Sequence, residues 1–178
     1  FYSHRYDPET PLEETLQALV DVVRAGKALY VGISRWPLKA LRTAYDYLRQ
    51  RDVPLLIFQD KLNMLDRSPL DNGTLDFCAD HGVGFISFSP LAQGLLTDRY
   101  LQGIPKDSRM SKGKFLKEEM LTSELLAQLK AWNDEATDKG RTLAEHALRW
   151  ILQQRGVTSV LVGASSTQQL EKNLRCVV

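Results

Sequence analysis

An α/β protein with a parallel sheet is predicted by three features of the sequence. Short β-rich runs alternate with longer helical patterns, each run is nearly continuous in apolar residues, and no Gly/Ser linker or low-complexity segment breaks the alternation. Two architectures share this grammar: an open doubly wound sheet and part of a (β/α)8 barrel.

The first strand is expected around residues 1–3. Thr10-Pro11-Leu12-Glu13 then offers an N-cap, a proline at the first helical position and a glutamate three residues after the cap. Leu12, Leu16, Leu19, Val20 and Val23 fall on one helical face, and Gly26 supplies the stop. A second strand is expected over 28–33, then a helix marked by Leu38, Leu41, Ala44, Tyr45 and Leu48, then a third strand over 54–59 (PLLIFQ). Residues 70–81 form a single helical pattern ended by Gly82, and 83–88 (VGFISF) a fourth strand. From Gln93 to about Thr122 the chain shows little periodicity, and connections of that length are usually functional or mobile. Two helical patterns follow, one carrying Leu125, Leu129, Trp132 and Ala136, the other Leu143, Ala147, Trp150 and Ile151. Thr142-x-x-Glu145 opens the second as a capping box. A fifth strand over 158–162 leads to a last helix capped by Ser166-x-x-Gln169.

Composition narrows the function classes. The 178 residues are 43% hydrophobic and 25% charged, enough apolar material for one sizeable core. With 23 basic residues against 22 acidic ones spread along the chain, there is no footprint for nucleic acid and no polybasic patch for a membrane. A small partner of mixed charge is expected, in a soluble, cytoplasmic protein. Cys78 and Cys176 show no metal-ligand spacing and are expected as reduced thiols, so no metal site is predicted. Because residue 1 is Phe and the chain opens inside a strand pattern, it is expected to begin partway into a larger protein.

All five predicted strands end on polar or glycine-rich groups: His4, Ser34-Arg35, Gln59-Asp60, Ser87-Phe88-Ser89 and Gly163-Ala164-Ser165. Any one of these is ordinary at the start of a loop. Parallel packing converges all five on one mouth, where both candidate architectures place their ligands.

The segments YSHRYDPETPLEET, GKALYVGISRW, FSPLAQGLL, GIPKDSR and VLVGASSTQQLEKN occur in an order and at spacings that resemble the aldo-keto reductases. Ser34-Arg35-Trp36 and Ser89-Pro90-Leu91-Ala92 are most similar to the branch containing bacterial small-aldehyde reductases and the beta subunits of voltage-gated potassium channels. The resemblance implies a (β/α)8 TIM barrel, of which this chain supplies about the last five strands and their helices, so that 1–178 is the C-terminal part of a single barrel domain. It also implies NADPH as cofactor and a small aldehyde or ketone as substrate.

Carried over position by position, His4 matches the active-site histidine that orients the carbonyl. Ser34 and Gln59 match residues that bond the nicotinamide carboxamide, with Arg35 beside them, and Phe88 matches the aromatic that stacks on the ring. Ser89, Pro90, Leu91, Ala92, Gln93 and Gly94 match the segment under the pyrophosphate. Arg99, Ser108 and Arg109 match a basic clamp on the phosphates, and Gly163, Ser165, Gln169 and Asn173 match the turn that holds the adenosine end. Gly163 and Gln169 stand where many members carry Lys and Arg to read the 2'-phosphate, so selectivity for NADPH is expected from Arg99, Arg109 or Lys172. Lys172 replaces a glutamate that usually meets the adenine amino group.

The catalytic tyrosine, lysine and aspartate of the family lie on earlier strands, outside this chain. Two other readings therefore stay open: an NADP-binding redox-sensing regulatory subunit, and a catalytically incomplete half-barrel. The channel subunits have asparagine at the position of His4, which favours the reductase. A homo-oligomer is a further expectation, since relatives in this branch often assemble.

Overall fold

The computed structural model describes residues 1–105 and 117–177. Its sheet has five strands in strictly sequential order, β1 (Tyr2–Ser3), β2 (Val31–Ser34), β3 (Leu55–Lys61), β4 (Gly84–Phe88) and β5 (Val157–Val160). The pairs β1/β2, β2/β3 and β3/β4 are parallel. A doubly wound sheet reverses its strand order at a switch point, whereas the wall of a (β/α)8 barrel runs in sequence. Of the two architectures, the observed order is that of the barrel.

The described residues fall into two compact units. The first comprises Phe1–Leu62, Arg67–Phe88 and Gln154–Ser159, and the second Asn63–Asp66, Ser89–Gln153 and the chain from Val160 onward.

In the first unit, α1 (Leu12–Arg24) and α2 (Leu38–Arg49) bury one face each: Leu16, Leu19 and Val20 from one, Ala40, Leu41, Ala44 and Leu48 from the other. These meet a strand core in which Ile33, Phe58 and Phe85 are fully buried, the two phenyl rings 6.1 Å apart. Each such side chain contributes roughly 1.5–3 kcal/mol by leaving water. Gly84 lies opposite Ile57 in the β3/β4 register. A Cβ built on Gly84 would stand 2.8 Å from Ile57 Cδ1 and 3.2 Å from Thr158 Oγ1, so the missing side chain leaves room for the isoleucine tip in its present rotamer.

Local structure departs from the sequence pattern at several points. The cap of α1 is Pro11, without a side-chain hydrogen bond, because Thr10 donates its hydroxyl to Asp7 Oδ2 at 2.7 Å. The expected helix over 70–81 is two helices, α3 (Ser68–Asp71) and α4 (Thr74–His81). The break falls at Gly73, which has φ +82°, while Asn72 Oδ1 accepts the Thr74 amide at 3.0 Å. Strand bounds shift as well: β2 runs 31–34 and not 28–33, β3 runs 55–61 and not 54–59, and the fifth strand begins and ends earlier than 158–162, at Val157–Val160.

In the second unit, α5 (Ser123–Asp138) and α6 (Leu143–Leu152) pack Leu129 and Ala147 against Leu95, Leu96 and Tyr100. The stretch expected as a long unstructured connection thus contributes core: Leu96 is 0% and Tyr100 1% exposed. It also carries short 3-10 turns at Ala92–Gly94, Asp98–Tyr100 and Glu118–Met120. The capping box of α6 is complete, with Thr142 Oγ1 accepting from the Glu145 amide and the Thr142 amide donating to Glu145 Oε2. Ahead of α7 (Thr167–Leu174), Ser166 caps as expected, but Gln169 does not reach back to the Ser166 amide. Its Oε1 accepts from both the amide and the hydroxyl of Ser165, at 2.8 and 2.9 Å.

Cys78 and Cys176 are both free and buried. Burial pushes the Cys78 thiol up to about 12, which keeps it protonated and unreactive. Among the described residues no helix is long and apolar enough to cross a membrane.

Candidate cofactor site

In the first unit the candidate residues are placed by strand register. Ser34 ends β2 and is the direct partner of Gln59 in β3, and the amide of Arg35 donates to the Gln59 carbonyl at 3.0 Å. Ser34 is 2% exposed, yet among the described residues neither its hydroxyl nor the Gln59 amide has a hydrogen-bond partner. A hydroxyl and a primary amide side by side supply the donors and acceptors that another primary carboxamide requires. Phe88 ends β4, opposite Lys61 of β3, and offers a flat apolar face. The neighbouring Ser87 is not part of any ligand-facing group, because its buried hydroxyl donates to the Leu62 carbonyl at 2.7 Å.

Arg35 adopts φ +58°, a left-handed conformation that costs a non-glycine residue about 1–3 kcal/mol. Its Nε lies 3.9 Å from Asp60 Oδ1, and its guanidinium carbon 5.9 Å from the centre of the Phe88 ring. Asp60 also accepts from the Lys61 amide at 2.7 Å. His4 follows β1 directly and is exposed. Trp36 is 3% exposed and meets Tyr6 edge to face at 5.7 Å, so it packs in the unit rather than lining an open surface. Its buried Nε1 has no partner among the described residues.

In the second unit, turns and caps do the placing. Ser89 is left-handed, with φ +52°, and its carbonyl accepts from Asn63 Nδ2 at 3.0 Å and from the Ala92 amide at 3.0 Å. Ala92, Gln93 and Gly94 follow with φ of +46°, +60° and +103°. The amides of Ala92 and Gly94 are engaged inside this turn, on the Ser89 and Leu91 carbonyls. Pro90 is buried.

A cavity of about 620 Å³ in this unit is lined by Leu91, Thr97, Asp98, Arg99, Pro105, Thr142, Ala144, Ser166, Gln168, Gln169, Lys172 and Asn173. Leu91, Arg99, Gln169 and Asn173, all expected as cofactor contacts, therefore gather on one wall system. Ser89, Pro90, Ala92, Gln93, Gly94, Gly163 and Ser165 do not line it. Ser165 is occupied with Gln169 instead, and a Cβ on Gly163 would meet nothing within 4 Å. Ser108 and Arg109 lie outside the described residues.

Among the described residues the lining carries the cations Arg99 and Lys172 and the carboxylate Asp98. Asn173 is 4% exposed, and its Nδ2 is a buried donor with no partner among the described residues. A buried donor left unpaired costs about 1–3 kcal/mol.

The sequence pattern missed Asn63, which is fully buried. Its Oδ1 accepts from the Leu65 and Asp66 amides while its Nδ2 fixes Ser89. An asparagine just past a strand was a turn signal, but the bond to a residue 26 positions away left no local trace.

The description of the matching family model is Aldo/keto reductase family, and the match runs over residues 1–178. The chain belongs to that family. L-glyceraldehyde 3-phosphate reductase of Escherichia coli strain K12 is 48% identical over 179 residues, covering 98% of this chain and 52% of that protein. A probable voltage-gated potassium channel subunit beta of Arabidopsis thaliana is 34% identical over 180 residues, covering 99% of this chain and 55% of that protein. Among solved structures, a thermostable aldo-keto reductase in complex with the inhibitor epalrestat superposes with a TM-score of 0.72 at 27% identity, over 99% of this chain and 53% of that one. The chain spans about half the length of the curated relatives it matches.

Proposed function

We propose that this chain is the C-terminal, cofactor-holding part of a single barrel domain that reduces small aldehydes or ketones with NADPH in the cytoplasm. One observation carries the reading: Ser34, at the end of β2, and Gln59, its register partner inside β3, hold unused hydrogen-bonding groups on strands whose neighbour ends in Phe88. These residues fit a nicotinamide, whose carboxamide they orient while Phe88 supports the ring. When bound, NADPH supplies the hydride that converts a carbonyl to an alcohol. His4 holds the carbonyl oxygen by a ring N–H, so that a proton donor outside this chain can complete the alcohol.

In the second unit, Arg99 and Lys172 attract the phosphates, and Asn173 Nδ2 donates to an acceptor on the adenosine. Lys172 and Arg99 on the cavity wall support NADPH over NADH, since the 2'-phosphate adds a doubly charged acceptor group. The test is a pair of measurements on the full-length protein. Fluorescence titration is expected to show tighter binding of NADPH than of NADH, and NADPH absorbance is expected to fall with short aldehydes. Equal affinity for the two cofactors removes the selectivity, and no turnover with any aldehyde or ketone removes the reductase.

A second reading has its own support in the 34% identity to a probable channel beta subunit. In that case the bound nucleotide acts as a signal, and slow cofactor exchange with negligible turnover is the expected behaviour.

A further inference from the structure

We propose that Arg35, steadied by Asp60, makes the nicotinamide end of the site discriminate against the oxidised cofactor. The inference rests on the cofactor reading above and concerns residues of the first unit alone.

One backbone bond and two side-chain contacts bring the half-exposed guanidinium close to the groups assigned to the nicotinamide. The Arg35 amide donates to the Gln59 carbonyl, so the strand pairing that sets Ser34 beside Gln59 also fixes the Arg35 backbone. The side chain then meets the Asp60 carboxylate at 3.9 Å and stands 5.9 Å from the centre of the Phe88 ring. The backbone is left-handed, at φ +58°, where glycine or asparagine is the easier occupant. A residue held there against its preference points to a task for its side chain.

The task follows from charge. A reduced nicotinamide ring is neutral and an oxidised one carries a full positive charge, while the guanidinium is charged at every working pH. A ring supported by Phe88 lies close enough to Arg35 for the two positive charges of the oxidised state to repel in a partly desolvated setting. Asp60 offsets part of this repulsion, which leaves a bias of roughly three- to tenfold toward the reduced form. The consequence for turnover is faster loss of the oxidised product and weaker inhibition by it.

The experiment measures dissociation constants for NADPH and NADP+ on the full-length protein, in the wild type, Arg35→Gln, Arg35→Lys and Asp60→Asn. Arg35→Gln is expected to tighten NADP+ relative to NADPH by roughly three- to tenfold. Arg35→Lys keeps the charge and retains most of the bias, and Asp60→Asn increases it. A ratio unchanged in Arg35→Gln, or both constants moving together, overturns the inference and leaves Arg35 an ordinary contact or turn residue. Should Arg35→Gln fail to fold, an unchanged or smaller ratio in Asp60→Asn overturns it equally. Binding of neither nucleotide by the wild type is a different result, because it removes the cofactor reading itself and this inference with it.

Discussion

Ser34, Gln59 and Phe88 in the first unit take their places from parallel strand register, whereas Leu91, Arg99, Gln169 and Asn173 in the second take theirs from 3-10 turns, helix caps and left-handed residues. The first group needs few supporting bonds, because ladder pairing already fixes each Cα. The second depends on individual side-chain bonds, one remote in sequence, the Asn63 amide on the Ser89 carbonyl, and others local, the Ser165 pair on Gln169. Register-built sites are stiff and tolerate change outside the sheet, while turn-built sites inherit the fragility of each bond that shapes them.

The sharpest test of this division is cofactor affinity. Gln59→Ala is expected to weaken NADPH and NADH alike by about tenfold, since both share the carboxamide. Lys172→Ala is expected to weaken NADPH more than NADH, because the 2'-phosphate adds to the charge that Lys172 attracts. Isothermal titration of both variants with both cofactors decides this, and a Gln59→Ala effect confined to NADPH breaks the assignment of the two regions.

A smaller effect is expected in stability. Thr142→Ala removes a complete capping box from α6 and should cost about 1 kcal/mol in urea unfolding. Thr10→Ala, by contrast, removes one exposed hydroxyl bond to Asp7 and no cap, and should cost a few tenths of that. Equal losses from the two would mean that Thr10 caps α1 after all.

The smallest expected effect is on pH dependence. Burial holds the His146 imidazole below its ordinary value of 6.5, with Glu135, 3.9 Å away, pulling upward and Lys139 and Arg141 adding to the lowering. The folded value lies below the unfolded one, so the unfolded chain binds more protons between the two. Stability from this group is therefore complete above 6.5 and falls as the pH drops through the lowered folded value. Urea midpoints compared at about pH 7.5 and about pH 5.5 should converge in His146→Gln relative to the wild type.

The division also explains what was legible in the sequence. Strands β2, β3 and β4 announced themselves through apolar runs, because period and burial are local signals, and Ser34 and Phe88 stand at strand ends, whereas β3 runs two residues past Gln59, where pairing with β4 continues through Asp60 and Lys61. The break at Asn72-Gly73 was hidden by apolar residues spaced as in one continuous helix. Thr10 lost its capping role to a competing carboxylate at Asp7, a choice that propensity alone does not make. Leu95, Leu96 and Tyr100 gave no periodic pattern, so their place in the core emerged only from tertiary packing. Asn63 was equally silent, since its partner lies beyond any local motif.

The pairing of Gly84 with Ile57 decides which changes the sheet tolerates there. Alanine at 84 collides first with the tip of the isoleucine at 2.8 Å, whereas the nearest backbone atom, the Leu56 carbonyl oxygen, stands off at 3.4 Å. A turn of the isoleucine tip makes room for alanine, and the Thr158 hydroxyl, at 3.2 Å, then has only a few tenths of an ångström to give, so tolerance at this crossing is set by side chains of the two flanking strands and not by the backbone.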